Sequence, residues 1–319
     1  MKRIYIFGIL LLLILGCEQL QPRDSKEFYD KGDGLAALGQ LELAQIQYRE
    51  GLKLKPNDPT GHYKLGASYI ILDNRPEAIK EFQETLKADP SNPGAHHRLG
   101  EIYLRDGKTD EALKEFNEAL KNSAAYPSLP ELLLMTGHAY FDKRDYEQAA
   151  KYYSESIAKN PNNPIPHLYL GYSYSSINKL DDAIREFQEA SRLDPKDYEP
   201  VFRIGLIYDV QGKLDEALNK YNEALKLKPD IKDAIFRIGT IYYKKEKYDD
   251  AVKKYEEVLK IDPNNADSHL NLGSIYDNKL NSNEKAIYHY KEFLRLNPNY
   301  KDADVIKVRI DQLEPSKKQ

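Results

Sequence analysis

The chain has 319 residues, 31% of them charged, with 47 Lys and Arg against 51 Asp and Glu for a formal net charge of −4. That balance argues against a nucleic-acid partner, and a single cysteine excludes an intrachain disulfide framework. A composition rich in Lys, Glu, Leu and Ala, without recurring strand alternation, points to an all-helical chain.

In chain order, Lys2-Arg3 precedes the apolar run Ile4 to Leu15, which ends at Gly16-Cys17. A positively charged start followed by an apolar run too short to span a bilayer comfortably reads as a secretory leader. Ile14-Leu15-Gly16-Cys17 resembles a bacterial lipobox, although Leu15 stands where Ala or Ser is common. The resemblance implies that residues 1–16 are removed as a lipoprotein signal peptide and that Cys17 is lipidated. The mature protein is then anchored to a membrane without spanning it. Glu18 stands where Asp would favour inner-membrane retention, so the outer membrane is the expected site, with the protein facing the periplasm. Residues 17–24 form the lipidated cysteine and a short tether; Glu18 to Asp24 reach roughly 25 Å when extended.

From Ser25 the chain repeats a unit of 34 residues. The unit Tyr198 to Ile231 shows its logic. Val201, Ile204, Gly205 and Tyr208 share one helical face, Gln211-Gly212-Lys213 breaks that helix, and Asp215 is expected as N-cap of a second. The second helix should bury Ala217, Leu218, Tyr221, Ala224 and Leu225 before Pro229 stops it. Glycines recur at the eighth position as Gly32, Gly66, Gly100, Gly137, Gly171, Gly205, Gly239 and Gly273, with one gap of 37 and all others of 34. Tyr69, Tyr103, Tyr140, Tyr174, Tyr208, Tyr242 and Tyr276 follow at position 11, and Ala44, Ala78, Ala112, Ala149, Ala183, Ala217 and Ala251 at position 20.

This pattern resembles the tetratricopeptide repeat over nearly all of residues 25–300. The resemblance implies an all-α, right-handed superhelical solenoid of about eight helical hairpins, closed by a C-terminal capping helix. Repeats one to three occupy residues 25–126, with Lys31 in a slot where leucine is usual, as suits a terminal repeat. An irregular link at 127–130 accounts for three extra residues, and a break in stacking is expected between Leu120 and Glu131. Repeats four to eight occupy 130–300. The last carries one extra residue in its turn, Lys279 to Asn283, which shifts Ala286, Tyr290 and Pro298 by one. Residues 301–314 are the capping helix, built on Val305, Ile306, Val308, Arg309, Ile310 and Leu313, and 315–319 a frayed tail.

No catalytic, cofactor or metal motif is present in the sequence. His62, His96, His167 and His269 recur at position 4, a packing slot, and adjacent His96 and His97 face different sides of one helix. By the family's pattern, positions 2, 5, 9 and 12 line a concave groove. Tyr63, His97, Leu134, Leu168, Phe202 and Phe236 at position 5, His138, Tyr172 and Leu206 at position 9, and Phe141 and Tyr243 at position 12 are the candidate partner-binding residues. Arg98, Arg203 and Arg237 at position 6 stand beside apolar or neutral residues, so the family's two-carboxylate clamp is absent. The expected function is therefore a non-catalytic scaffold or adaptor of the cell envelope, binding partner peptides or proteins without nucleic acid, metal or cofactor. The alternative is an accessory subunit that presents glycan or another substrate to an envelope enzyme.

Overall fold

A computed structural model describes residues 24–314; the leader, Cys17 and residues 315–319 lie outside the described residues. Seventeen α-helices and no strands make up the described chain. The described residues divide into two compact units, one ending at Asn160 and the other beginning at Pro161.

In the first unit the helices pair as α1 (Ser25–Ala37) with α2 (Leu41–Leu54), α3 (Pro59–Ile71) with α4 (Arg75–Ala88), α5 (Pro93–Arg105) with α6 (Thr109–Lys121), and α7 (Leu129–Asp142) with α8 (Tyr146–Lys159). The second unit pairs α9 (Pro164–Ser176) with α10 (Leu180–Leu193), α11 (Glu199–Val210) with α12 (Leu214–Leu227), α13 (Lys232–Lys244) with α14 (Tyr248–Ile261), and α15 (Ala266–Asn278) with α16 (Asn283–Leu296). It closes with α17 (Ala303–Leu313).

Local chemistry sets these boundaries. Pro59, Pro93 and Pro164 open helices where a missing N–H costs nothing. Before them Asp58, Asn92 and Asn163 accept backbone N–H groups of the first turn at 3.0 to 3.1 Å. Asp215 is not an N-cap: α12 begins at Leu214, so Asp215 lies inside the first turn, where its charge suits the helix dipole and its side chain pairs with Lys245. Gly212 breaks the preceding helix with φ 73°.

Each hairpin is closed at the same point. A Cβ added at any of the eight position-8 glycines would lie 3.0 Å or less from a ring carbon of the aromatic residue on the second helix, at 2.8 Å from Tyr221 for Gly205 and 2.6 Å from Tyr290 for Gly273. The position-20 alanines, Ala286 included, are fully buried beside these contacts. Between hairpins the core forms in patches. Ala78 and Phe82 pack with Ala95, Leu99 and Ile102; Ala183 and Phe187 with Ile204 and Ile207; Ala217 and Tyr221 with Ala234, Ile238 and Ile241.

Two expectations are corrected here. No break in stacking accompanies the three extra residues, because Ala112, Leu113, Phe116 and Ala119 form one cluster with Leu132 and Ala139 across them. The capping helix buries Ala303, Ile310 and Leu313, whereas Val305 and Val308 face outward and Arg309 makes a bidentate ion pair with Asp277 at 2.6 and 2.9 Å.

Candidate partner-binding face

The first helices of the hairpins carry the candidate residues, and their burial separates them into two kinds. His97, Leu134 and Phe202 are buried and belong to the packing, not to an open surface. Buried or not, position-5 rings share one contact: each leans onto the position-24 aromatic of its own hairpin. Ring centroids lie 6.1 Å apart for His97 and Phe116, 5.7 Å for Tyr63 and Phe82, 5.7 Å for Phe202 and Tyr221, and 5.3 Å for Phe236 and Tyr255. Tyr63, His138, Phe141, Leu168, Tyr172, Leu206 and Phe236 are half-buried, and Tyr243 is exposed.

In the first unit, the extra residues between repeats three and four reach back to this face. Tyr126 sets its ring edge-on to His97, and its hydroxyl hydrogen-bonds to His97 Nδ1 at 2.9 Å. Burial, with Arg98 second, pushes His97 down to about 3, so the imidazole is neutral at physiological pH. Tyr63, Tyr126, Gly94, Asn92, Asn122 and Pro127 line an open cavity of about 490 Å³ beside it. His138 hydrogen-bonds to the Tyr153 hydroxyl at 2.8 Å and is held down at about 4 by burial. Phe141 packs edge-on against Tyr146 at 5.2 Å.

In the second unit, Tyr172 donates to Glu199 Oε1 at 2.9 Å, and the Arg203 guanidinium lies 5.0 Å from the Tyr172 ring while bonding Glu199 at 2.7 Å. Burial, then Glu199, pushes the Tyr172 hydroxyl above its ordinary range. Asp209, largely buried, accepts from Arg237 at 3.2 Å and Lys244 at 3.3 Å. Arg98 in the first unit is likewise paired, with Glu101 at 2.6 Å.

Sequence reading missed these ion pairs. Arg98 with Glu101 and Glu199 with Arg203 have helical i,i+3 and i,i+4 spacing and were open to it. Asp209 with Arg237 spans 28 residues and becomes visible only when two repeats are superposed. All three position-6 arginines thus already have carboxylate partners.

The position-4 histidines have a structural role. His62, His96 and His167 pair through Nδ1 with Glu81, Glu115 and Glu186 at 2.6, 2.6 and 2.7 Å, while His269 meets His289 at 3.0 Å. Among the described residues no group of three His, Cys, Asp or Glu is arranged to hold a metal ion, and no helix is long and apolar enough to cross a membrane.

Family models for tetratricopeptide repeats match residues 32–70, 69–130, 134–197, 210–245, 239–279 and 266–300. The chain belongs to the tetratricopeptide repeat family. Such proteins are protein-interaction scaffolds, and their fold is typically non-catalytic. Among solved structures, the C-terminal part of a TPR repeat-containing protein from Cytophaga hutchinsonii is 17% identical, with TM-score 0.67 over 76% of this chain and 98% of that one. YrrB, described as a TPR protein with an unusual peptide-binding site, is 19% identical, with TM-score 0.55 over 59% and 95%. PilF of Pseudomonas aeruginosa is 18% identical, with TM-score 0.55 over 65% and 92%. At these identities the likeness is one of fold. No curated protein matches the chain.

Proposed function

We propose that this tetratricopeptide array is a membrane-tethered adaptor of the bacterial cell envelope, anchored by lipid at Cys17, facing the periplasm from the outer membrane, and binding partner peptides or proteins on its first-helix face. The observation that carries the binding surface is the row of partly open apolar and aromatic residues within each unit: Tyr63, His138 and Phe141 in the first, Leu168, Tyr172, Leu206, Phe236 and Tyr243 in the second. Because the neighbouring arginines are paired, the favoured ligand is a segment with hydrophobic anchors, not an acidic terminus. The peptide-binding site of YrrB supports a peptide-binding role for an array of this fold.

Crosslinking in the native host, capture through the C-terminus and mass spectrometry test the reading, with Cys17→Ala alongside. A discrete partner set that is lost with Cys17→Ala supports a tethered adaptor. Recovery of glycan without protein would replace it with the substrate-presenting alternative. Phe236→Ala combined with Tyr243→Ala should weaken capture, and Tyr243→Ala alone should weaken it with thermal unfolding nearly unchanged.

A further inference from the structure

Exposed aliphatic side chains occur along the described chain, Val210 and Val305 among them, but they are densest at its start. Leu38, Leu43, Ile46, Ile71 and Leu72, with exposures of 75, 49, 46, 67 and 39%, fall in the first two repeats. Scattered single hydrophobics on a surface need no explanation, but repeat register makes these five unusual.

Leu43 and Ile46 occupy positions 19 and 22 on the outer side of α2. The same two positions carry ion pairs elsewhere: Glu77 with Lys80 at 4.0 Å, Asp250 with Lys253 at 3.1 Å, and Asp182 with Arg185. Leu38, Ile71 and Leu72 lie in the turns joining first and second helices. Their counterparts in later repeats include Arg105-Asp106, Asp142-Lys143 and Lys244-Lys245. Repeats one and two are successive, so their turns are neighbours, and Leu43 stands in the first turn of α2, just after the turn that holds Leu38. The result is an aliphatic edge at the start of the array: Leu43 and Ile46 fill slots that carry ion pairs in other repeats, and the turn slots, which elsewhere hold an isolated Ile177 or Val210 beside polar residues, are apolar in two successive repeats.

The chain outside the described residues indicates what meets this edge. The apolar run Ile4 to Leu15 and Cys17 stand immediately ahead of α1. Helix α1 has 13 residues and is therefore about 20 Å long. The tether from Cys17 to Asp24 reaches roughly 25 Å. A Cys17 held at a bilayer surface can thus supply the start of α1 while the far end of that helix, with Leu38, touches the same surface. Arg75, the described cation beside the Ile71-Leu72 turn, is already engaged, bonded to Asp106 at 2.9 Å and 3.4 Å from Asp73. Attraction to anionic headgroups is therefore not the source of contact.

We propose that the turn edge of repeats one and two, with Leu43 and Ile46, inserts into the interfacial region of the lipid bilayer. It gives the array a second membrane contact and so fixes how it stands on its anchor. This rests on the reading of Cys17 as lipidated. Contact is apolar, so it persists at high salt.

The test uses the full chain, processed in a bacterium and reconstituted in vesicles of phosphatidylethanolamine and phosphatidylglycerol. Ile71→Cys and Val210→Cys, equivalent exposed turn positions in repeats two and six, are each labelled with an environment-sensitive fluorophore. The expected result is blue-shifted emission, quenched by nitroxide-labelled lipid and unchanged by salt, at residue 71, with aqueous emission at residue 210. A chain that floats with vesicles but shows aqueous emission at 71 overturns the proposal and leaves the anchor reading intact. Equal shifts at both positions overturn it as general adsorption. A concentration-dependent shift without vesicles overturns it in favour of a second copy of the chain. A chain that does not float removes the anchor and this proposal together.

Discussion

Two places interrupt the 34-residue register, and the fold treats them differently. Three extra residues lie between hairpins, after α6, and there the cluster of Phe116, Ala119 and Leu132 continues across them. The freed segment is put to use, since Tyr126 returns to seal His97 and to form one wall of the cavity. One extra residue lies inside the last hairpin, between α15 and α16, and there the second helix keeps its place in space while the sequence slips by one. Ala286 and Tyr290 arrive where the register needs them, Gly273 still faces the Tyr290 ring, and His289 comes to lie opposite His269 where the other three position-4 histidines meet Glu81, Glu115 and Glu186. Insertions between repeats can add surface; insertions within a repeat change which side chains meet in the core.

The comparison can be broken most directly at Gly273. Gly273→Leu should cost about 3 kcal/mol, the upper end of overpacking penalties, because the Tyr290 ring is held by its bond to Asp277 and has little room to yield. Gly34→Leu, which meets open space, serves as control. Equal thermal unfolding of the two variants would show that the shifted register is wrong.

Next is the pH response of the slipped pair. Burial, then His269 and Lys285, holds His289 down to about 4, below the roughly 6.5 of an unfolded chain. The folded state thus prefers neutral imidazole, its contribution is complete above about 6.5, and stability falls as pH drops towards 4, by about 2 kcal/mol at pH 5. His96 behaves oppositely: burial would lower it, but Glu115 and the Pro90 carbonyl hold it raised, so its contribution is present at low pH and lost as pH rises. Melting temperature measured from pH 7.5 to 5 should fall less steeply in His289→Gln than in the parent chain. A steeper fall would contradict the assignment.

At the other interruption, Tyr126→Phe removes the hydroxyl that meets buried His97 Nδ1 and should cost about 1 kcal/mol in denaturant unfolding. Ala124→Lys, on the exposed part of the same loop, should change stability by no more than about 0.5 kcal/mol. If the larger effect came from residue 124, the loop would be part of the core and not an addition to it.

Most of the fold was legible because the repeat states its rule eight times. Glycine at position 8 and alanine at position 20 imply close approach wherever they recur, and the structure supplies the partner ring in every case. The binding face was only partly legible. Position 5 reads the same for buried Phe202 and half-buried Phe236, and both rings lean on the position-24 tyrosine of their own hairpin, so the repeat pattern alone does not separate them. Two contacts were hidden for other reasons: Asp209 with Arg237 crosses from one repeat into the next, and Tyr126 with His97 depends on the irregular segment that the repeat pattern does not describe.

The glycine-to-ring closure of each hairpin also bears on how such a chain can change in length. Because Gly205 and Gly239 each meet an aromatic residue of their own second helix, the segment between them is self-contained at its tightest point. Excising residues 205–238 joins the first half of one hairpin to the second half of the next with the same spacing to Tyr255. The shortened chain retains a properly seated ring, so copy number can vary without inventing a new fit.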